Sequence, residues 1–263
     1  AMALLFCALV FSLAFVLPVL QLVLWALPNI EAELTGRFWS YLGGTLWLAT
    51  LAMIIVVMLA LALVFIARLK RGLFAVLAVR LATLGYALPG VVLAVGIYLP
   101  VSYFSAWLQA RGIPAGILQG GLLVMMLAYS VRFMAVAFAP LENNLLRVTP
   151  SIDLAAKSLG VTGLNMMRRV HLPLLRAGIF TAMVLVFVDV MKELPITLMT
   201  RPFGFNTLAV RVFELTSEGL WQRAALPALA IVLAGLVPVF LLIRSTEPML
   251  PSPVDQAKVT ETV

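Results

Sequence analysis

The chain has 263 residues, 63% of them hydrophobic and only 11% charged, with a mean hydropathy of +1.12. No water-soluble core of this length hides so much apolar surface, so the composition excludes a soluble enzyme or binding module and requires an integral membrane protein. The net charge of +7 falls in loops between apolar runs, which suits anionic lipid headgroups and membrane topology, not nucleic acid.

A helix needs about 20 apolar residues to cross the hydrocarbon. Six segments qualify: residues 3–27, 41–67, 81–108, 117–139, 178–200 and 224–243. The chain begins directly in apolar sequence, with no basic start and no cleavage site, so the expectation is the second part of a longer polypeptide rather than a signal peptide. Cys7 in this run is the only cysteine, so no disulfide forms within the chain.

The first loop carries Glu31, Glu33 and Arg37, and the second Arg68, Lys70, Arg71 and Arg80. The third span contains Pro89-Gly90 and Pro100, which predict a kink or break, tolerated only where protein or a cavity satisfies the freed backbone groups. Arg132, in the inner half of the fourth span, is expected to snorkel to the cytoplasm. Arg147, Lys157, Arg168, Arg169 and Arg176 crowd the fourth loop, whereas the third holds only Arg111. By the positive-inside rule the second and fourth loops are cytoplasmic, and so are both termini. The fifth loop, with Arg201, Arg211 and Arg223 beside Glu214 and Glu218, weakly opposes this.

The fourth loop is the most informative segment. Thr149 or Ser151 can cap a helix beginning near Pro150. Asp153 falls in its first turn, where negative charge is favoured. Ala155, Ala156 and Leu159 make a small smooth face, and Gly160 is placed to end the helix. A second short helix is predicted over 163–170, ending before Leu172-Pro173. Two such helices along the membrane face form a knob for a partner's groove; a surface helix pair without a partner is the plain alternative.

The loop resembles the EAA loop of binding-protein-dependent ABC importer permeases: Glu-Ala-Ala, three residues, Gly, nine residues, an aliphatic, one residue, Leu-Pro. Ala155, Ala156, Gly160, Val170, Leu172 and Pro173 match in register, while Leu154 stands where the family has Glu and Asp153 lies one position earlier. The resemblance implies an all-α membrane fold of six transmembrane helices in the MetI-like permease core. It places two short cytoplasmic coupling helices between spans four and five. The permease domain then covers 1–245, with the coupling loop at 140–177, and 246–263 is a polar cytoplasmic tail. Implied partners are cytoplasmic ATP-binding subunits, a periplasmic substrate-binding protein and a second permease core, fused or as a homodimer mate. The place is the inner membrane, with no cofactor bound by this chain and ATP hydrolysis carried out by a separate subunit.

Three runs resemble iron(III) permeases, which carry two such cores in one chain: YALPGVVLAVG at 86–96, YSVRFMAVA at 129–137 and DVMKELPITLMTRPFGFNTLAVRVFE at 189–214. Thiamine, sulfate, molybdate and polyamine permeases share the skeleton and stay open as alternatives. Asp189 lies about 18 Å of helix rise beyond Ala177. Ionisable groups at that depth face protein or a water-filled path. Asp189 and Glu193, four apart, are expected on one helix face, with Lys192 able to pair with Asp189. With Pro89 these make a candidate translocation path, and the two carboxylates a transient oxygen site for ferric iron. The alternative is an internal pair that fixes helix register. Arg201, Arg211, Glu214 and Glu218 are candidate contacts for a binding protein. His171 reads as a contact or cap, not a metal ligand.

Two rival classes remain. An ion-coupled secondary transporter would show paired broken helices, and only one broken span is legible. An intramembrane enzyme lacks its motifs, since HExxH, GxSxG and Walker A are all absent from the sequence.

Overall fold

A computed structural model describes residues 2–69, 72–114 and 121–246. Lys70, Arg71, positions 117–120 of the predicted fourth span and the tail from 247 onward lie outside the described residues. Among the described residues the secondary structure is entirely helical.

The first helix, α1, runs over Met2–Glu33 through a π turn at Ser12–Val16. That turn lies just ahead of Pro18, whose ring has no N–H to give the preceding turn. Then come α2 (Gly36–Leu69) and α3 (Leu73–Thr83), which tightens into a 3-10 turn at Leu84–Tyr86, and α4 (Gly90–Gln109). They are followed by α5 (Leu122–Leu145) and α6 (Pro150–Ser158). The next element, α7, joins Gly163–Met166, a π turn at Met167–His171 and Leu172–Leu174. The chain closes with α8 (Arg176–Met191), α9 (Pro195–Thr200), α10 (Leu208–Ser217) and α11 (Trp221–Thr246).

Helices α2, α5 and α8 pack on one another and form the core. The buried stripe of α2, Ala49, Ala52, Val56 and Ala60, has helical spacing and small side chains. In lipid, helices gain little from hiding apolar groups, and close approach through small residues supplies the attraction instead. Gly178 shows how close: a Cβ there would come within 2.8 Å of Asn144 Nδ2 and of the Pro140 carbonyl. Helix α11 lies outside this core, against α1, α10 and α8.

Two of the predicted spans need correction. Among the described residues five helices, α1, α2, α4, α5 and α11, are long and apolar enough to cross a membrane, and a sixth is counted only if α8 is joined to the Met167–Leu174 segment across a 63° bend. The predicted third span starts too early, because the chain turns at 84–89 and Pro89 precedes α4; Pro100 sits inside α4 without ending it. The predicted fifth span runs too long. Its helix stops at Met191, and Pro195 opens a separate short helix, since proline favours a first turn over a helix interior.

Candidate functional site

The helix pair predicted as a docking element is built around one carboxylate. Asp153 accepts from Arg68 Nη2 at 2.7 Å and faces His171 Nε2 at 2.8 Å, so α6 is tied to the end of α2 and to α7. Arg68 also donates to the carbonyls of Leu145 (3.2 Å), which accepts the Val148 amide as well, and Val148 (3.1 Å), in the turn that follows α5. His171 is buried and stacks on Phe65 at 5.8 Å between ring centres. It is a contact residue, as its position implied. Partial burial pushes the Asp153 carboxyl up, but the hydrogen bonds from His171 and Arg68 outweigh that and hold it below its ordinary range.

The caps differ from expectation. Neither Thr149 nor Ser151 caps α6; their hydroxyls bond each other at 2.8 Å. Gly160 ends the helix as expected, in the left-handed region at φ 74°. Gly160 N bonds Lys157 O at 3.0 Å and Val161 N bonds Ala156 O at 2.9 Å, the paired bonds of a Schellman turn. The expected smooth face is split, because Ala156 turns inward while Leu154, Ala155 and Leu159 stay outward, Leu159 at 82% exposure. The second helix does not end before Leu172-Pro173. It continues through the π turn, with Val170 and Leu172 half-buried and Pro173 in a new first turn.

A second polar cluster lies where α8 ends. Asp189 pairs with Lys192 at 2.9 Å, as its spacing predicts. Glu193 does not share a helix face with Asp189, because α8 has already ended. Its carboxylate accepts the Ile196 amide at 3.3 Å and faces Gly90, where a Cβ would sit 3.3 Å away. Pro89 and Glu193 are thereby brought together at the starts of α4 and α9. Thr197 donates to Glu193 O at 2.7 Å, and its oxygen lies 2.5 Å from the hydroxyl of fully buried Tyr129.

Arg132 does not snorkel. Its guanidinium turns onto the break in the third span, donating to the carbonyls of Leu88 and, at 3.4 Å, Tyr86. Those acceptors lie just ahead of Pro89, which supplies no N–H of its own. Gly85 lets the turn approach α5, since a Cβ there would lie 2.1 Å from Val131 O. Sequence reasoning missed Arg132, Tyr129 and Thr197 as site residues; an arginine opposite a Pro-Gly break was the usable signal.

The opposite end holds the predicted binding-protein contacts. Arg201 bonds Asn206 and lies 3.6 Å from Glu214; Arg211 pairs at 3.3 Å with Glu33. Arg223 joins the same Glu33 carboxylate at 2.5 Å, and Glu33 is only 6% exposed. Glu218 stays exposed at the end of α10, and Phe203 is fully exposed. Among the described residues no group of three or more His, Cys, Asp or Glu could hold a metal ion.

No family model matches the sequence. The chain is 30% identical over 237 residues to an Fe(3+)-transport system permease protein of Haemophilus influenzae, covering 89% of this chain and 45% of that protein. It is 34% identical over 119 residues to a protein of Salmonella typhimurium named as a 2-aminoethylphosphonate transport system permease, covering 45% of this chain and 44% of that one. The chain thus spans a little under half the length of the iron permease it matches. A bacterial alginate ABC transporter, crystallised with an alginate pentasaccharide-bound periplasmic protein, has the same fold at TM-score 0.62 and 15% identity, over 94% of both chains. Likeness to an iron(III) permease over 89% of the sequence, joined to the fold of an ABC transporter, places this chain in the ABC importer permease family as a transport component and not an enzyme.

Proposed function

We propose that this chain is one permease core of an ATP-driven importer, passing ferric iron from a periplasmic binding protein to the cytoplasm. The observation that carries the reading is the anchored helix pair α6–α7, with the EAA-loop spacing, on a chain similar to an Fe(3+) permease. A stroke delivered to outward-facing Leu154 and Leu159 passes through Asp153 to Arg68 on α2, and through His171 to α7 and so to α8. Those are two of the three core helices, and α8 leads to Asp189 and Glu193. Cytoplasmic ATP-binding subunits deliver the stroke, and a second core, fused or identical, completes the pathway. Both termini and loop 140–177 face the cytoplasm of an inner membrane, and positions 246–263 form a cytoplasmic tail. Glu218 and the aromatic rim near Phe203 meet the binding protein. Asp189 and Glu193 offer iron passing oxygen contacts, too few for a resident site.

A second reading keeps the machinery and changes the cargo to a phosphonate, supported by the 34% match to the 2-aminoethylphosphonate permease. Reconstituted vesicles holding both cores and the ATPase, supplied with binding protein loaded with ferric iron or with 2-aminoethylphosphonate, separate the two. Vanadate-sensitive iron uptake, slowed in Glu193→Gln with assembly intact, is the expected result. Uptake of the phosphonate alone replaces the cargo, and uptake that ignores vanadate and ATPase removal overturns the importer itself.

A further inference from the structure

The elbow between α1 and α2 encloses a cavity of about 510 Å³, lined by Glu33, Thr35, Arg37, Tyr41, Arg211 and Arg223 with Phe38 and Pro227. That volume exceeds a few waters at about 30 Å³ each. Three guanidinium groups against one carboxylate leave the lining at +2, and Glu31 on the neighbouring turn does not line the cavity. Glu33 is already shared by Arg211 and Arg223. Among the described residues Arg37 has no carboxylate within ion-pair distance, although it lines the same space. A cavity with surplus cations and hydroxyl groups at its wall, Arg37 among them exposed to solvent, has room and charge for one more anion.

The shape of the anion follows from the donors. Planar guanidinium forks match the several oxygens of a phosphoryl group better than a halide. The surroundings indicate its source. Trp39 and Trp221 flank this end with 59% exposure each, the placement of a membrane-interface belt. Phe38 and Pro227 give the cavity an apolar wall, and Leu24 and Leu27 extend an exposed apolar stripe from it along α1. We infer that this elbow cavity binds the phosphoryl group of an anionic phospholipid, with Arg37 as the free cation and the acyl chains lying along α1. The site is remote from the docking pair and independent of the cargo.

The test titrates the full chain in detergent micelles, following tryptophan fluorescence and Tm. Ligands are a short-chain phosphatidylglycerol, the diacylglycerol of the same chains, and inorganic phosphate. The expected result is saturable binding of phosphatidylglycerol, competition by millimolar phosphate, and no response to diacylglycerol. Arg37→Gln weakens the binding about five-fold, the effect of one surface cation on an anionic headgroup. Arg244→Gln, at the far end of α11, leaves it unchanged. Phosphate that binds alone with the same Arg37 dependence, where phosphatidylglycerol does not, replaces the lipid by a soluble anion and overturns the lipid source. Equal binding by wild type and Arg37→Gln, or an equal response to diacylglycerol, overturns the phosphoryl site.

Discussion

Asp153 and Glu33 each hold two basic side chains, at opposite ends of the bundle, and they do different work. Asp153 is 22% exposed and joins Arg68 and His171, fastening a nine-residue helix whose outer face stays bare. Glu33 is 6% exposed and joins Arg211 and Arg223, fastening α1 to α10 and α11, with no short element left free. A carboxylate in a low-dielectric site is costly to leave unpaired, so the buried grip acts as a lock. A half-wet grip fixes position while leaving a surface for a partner. The end of the molecule proposed to receive force is therefore the one held by the weaker tie.

The largest effect should come from breaking the lock. Glu33→Ala leaves Arg211 and Arg223 side by side without their counter-charge, and is expected to cost about 3 kcal/mol, the low end for a broken buried pair because Arg223 is partly exposed. Thermal unfolding in detergent measures it, and a loss no larger than that of Asp153→Asn erases the contrast. Next comes Gly160→Val, which forces a branched residue to φ 74° at about 1–2 kcal/mol. Its cost is local to α6, so ATP-driven uptake is expected to fall at least tenfold while Tm moves little. Unchanged uptake in that variant removes α6 as the receiver.

Asp153→Asn sharpens the comparison through pH. The folded carboxyl is held below its unfolded value of about 3.8, so it adds stability above that pH, and the stability is lost as pH falls through the lowered folded value. Hydrogen exchange in α6 is expected to rise below about pH 4 in the wild type. In Asp153→Asn the free energy of opening α6 should be lower by about 1 kcal/mol at neutral pH and should carry no acid step, so that the two proteins converge as the wild-type carboxyl is protonated.

Much of this was legible in the sequence, for physical reasons. The composition fixes a membrane bundle, because nothing else hides so much apolar surface. The spacing from Ala155 to Gly160 fixes the glycine turn, because turn chemistry is local, whereas the second helix runs on past the stop expected before Leu172-Pro173. What escaped depends on contacts far apart in the chain. Glu33 reads as a loop charge until Arg211 and Arg223, nearly 180 and 190 positions away, close on it. Arg132 reads as a snorkelling side chain until the break before Pro89 presents bare carbonyls. Asp189 and Glu193 share a face only if the helix continues, and Pro195 decides that it does not.

The smallest effect tests whether the elbow end has one lock or several. Arg201 lies 3.6 Å from Glu214, with 24% and 36% of the two side chains exposed, and such pairs are worth about 0–1 kcal/mol in water-facing settings. Arg201 also bonds Asn206, whose carbonyl approaches α2 so closely that a Cβ at Gly44 would lie 2.7 Å away. Backbone contact, not charge, therefore seats that loop. Arg201→Gln is expected to shift Tm by about 1–2 °C at most, since 0.5 kcal/mol moves a chain of this size by about that much. If Tm falls as far as in Glu33→Ala, Glu33 is not the lock, and the contrast with Asp153 fails at its buried end. If Tm holds but delivery from the binding protein drops several-fold, the Arg201–Glu214 pair belongs to the receiving surface, and the rigid end carries the specificity.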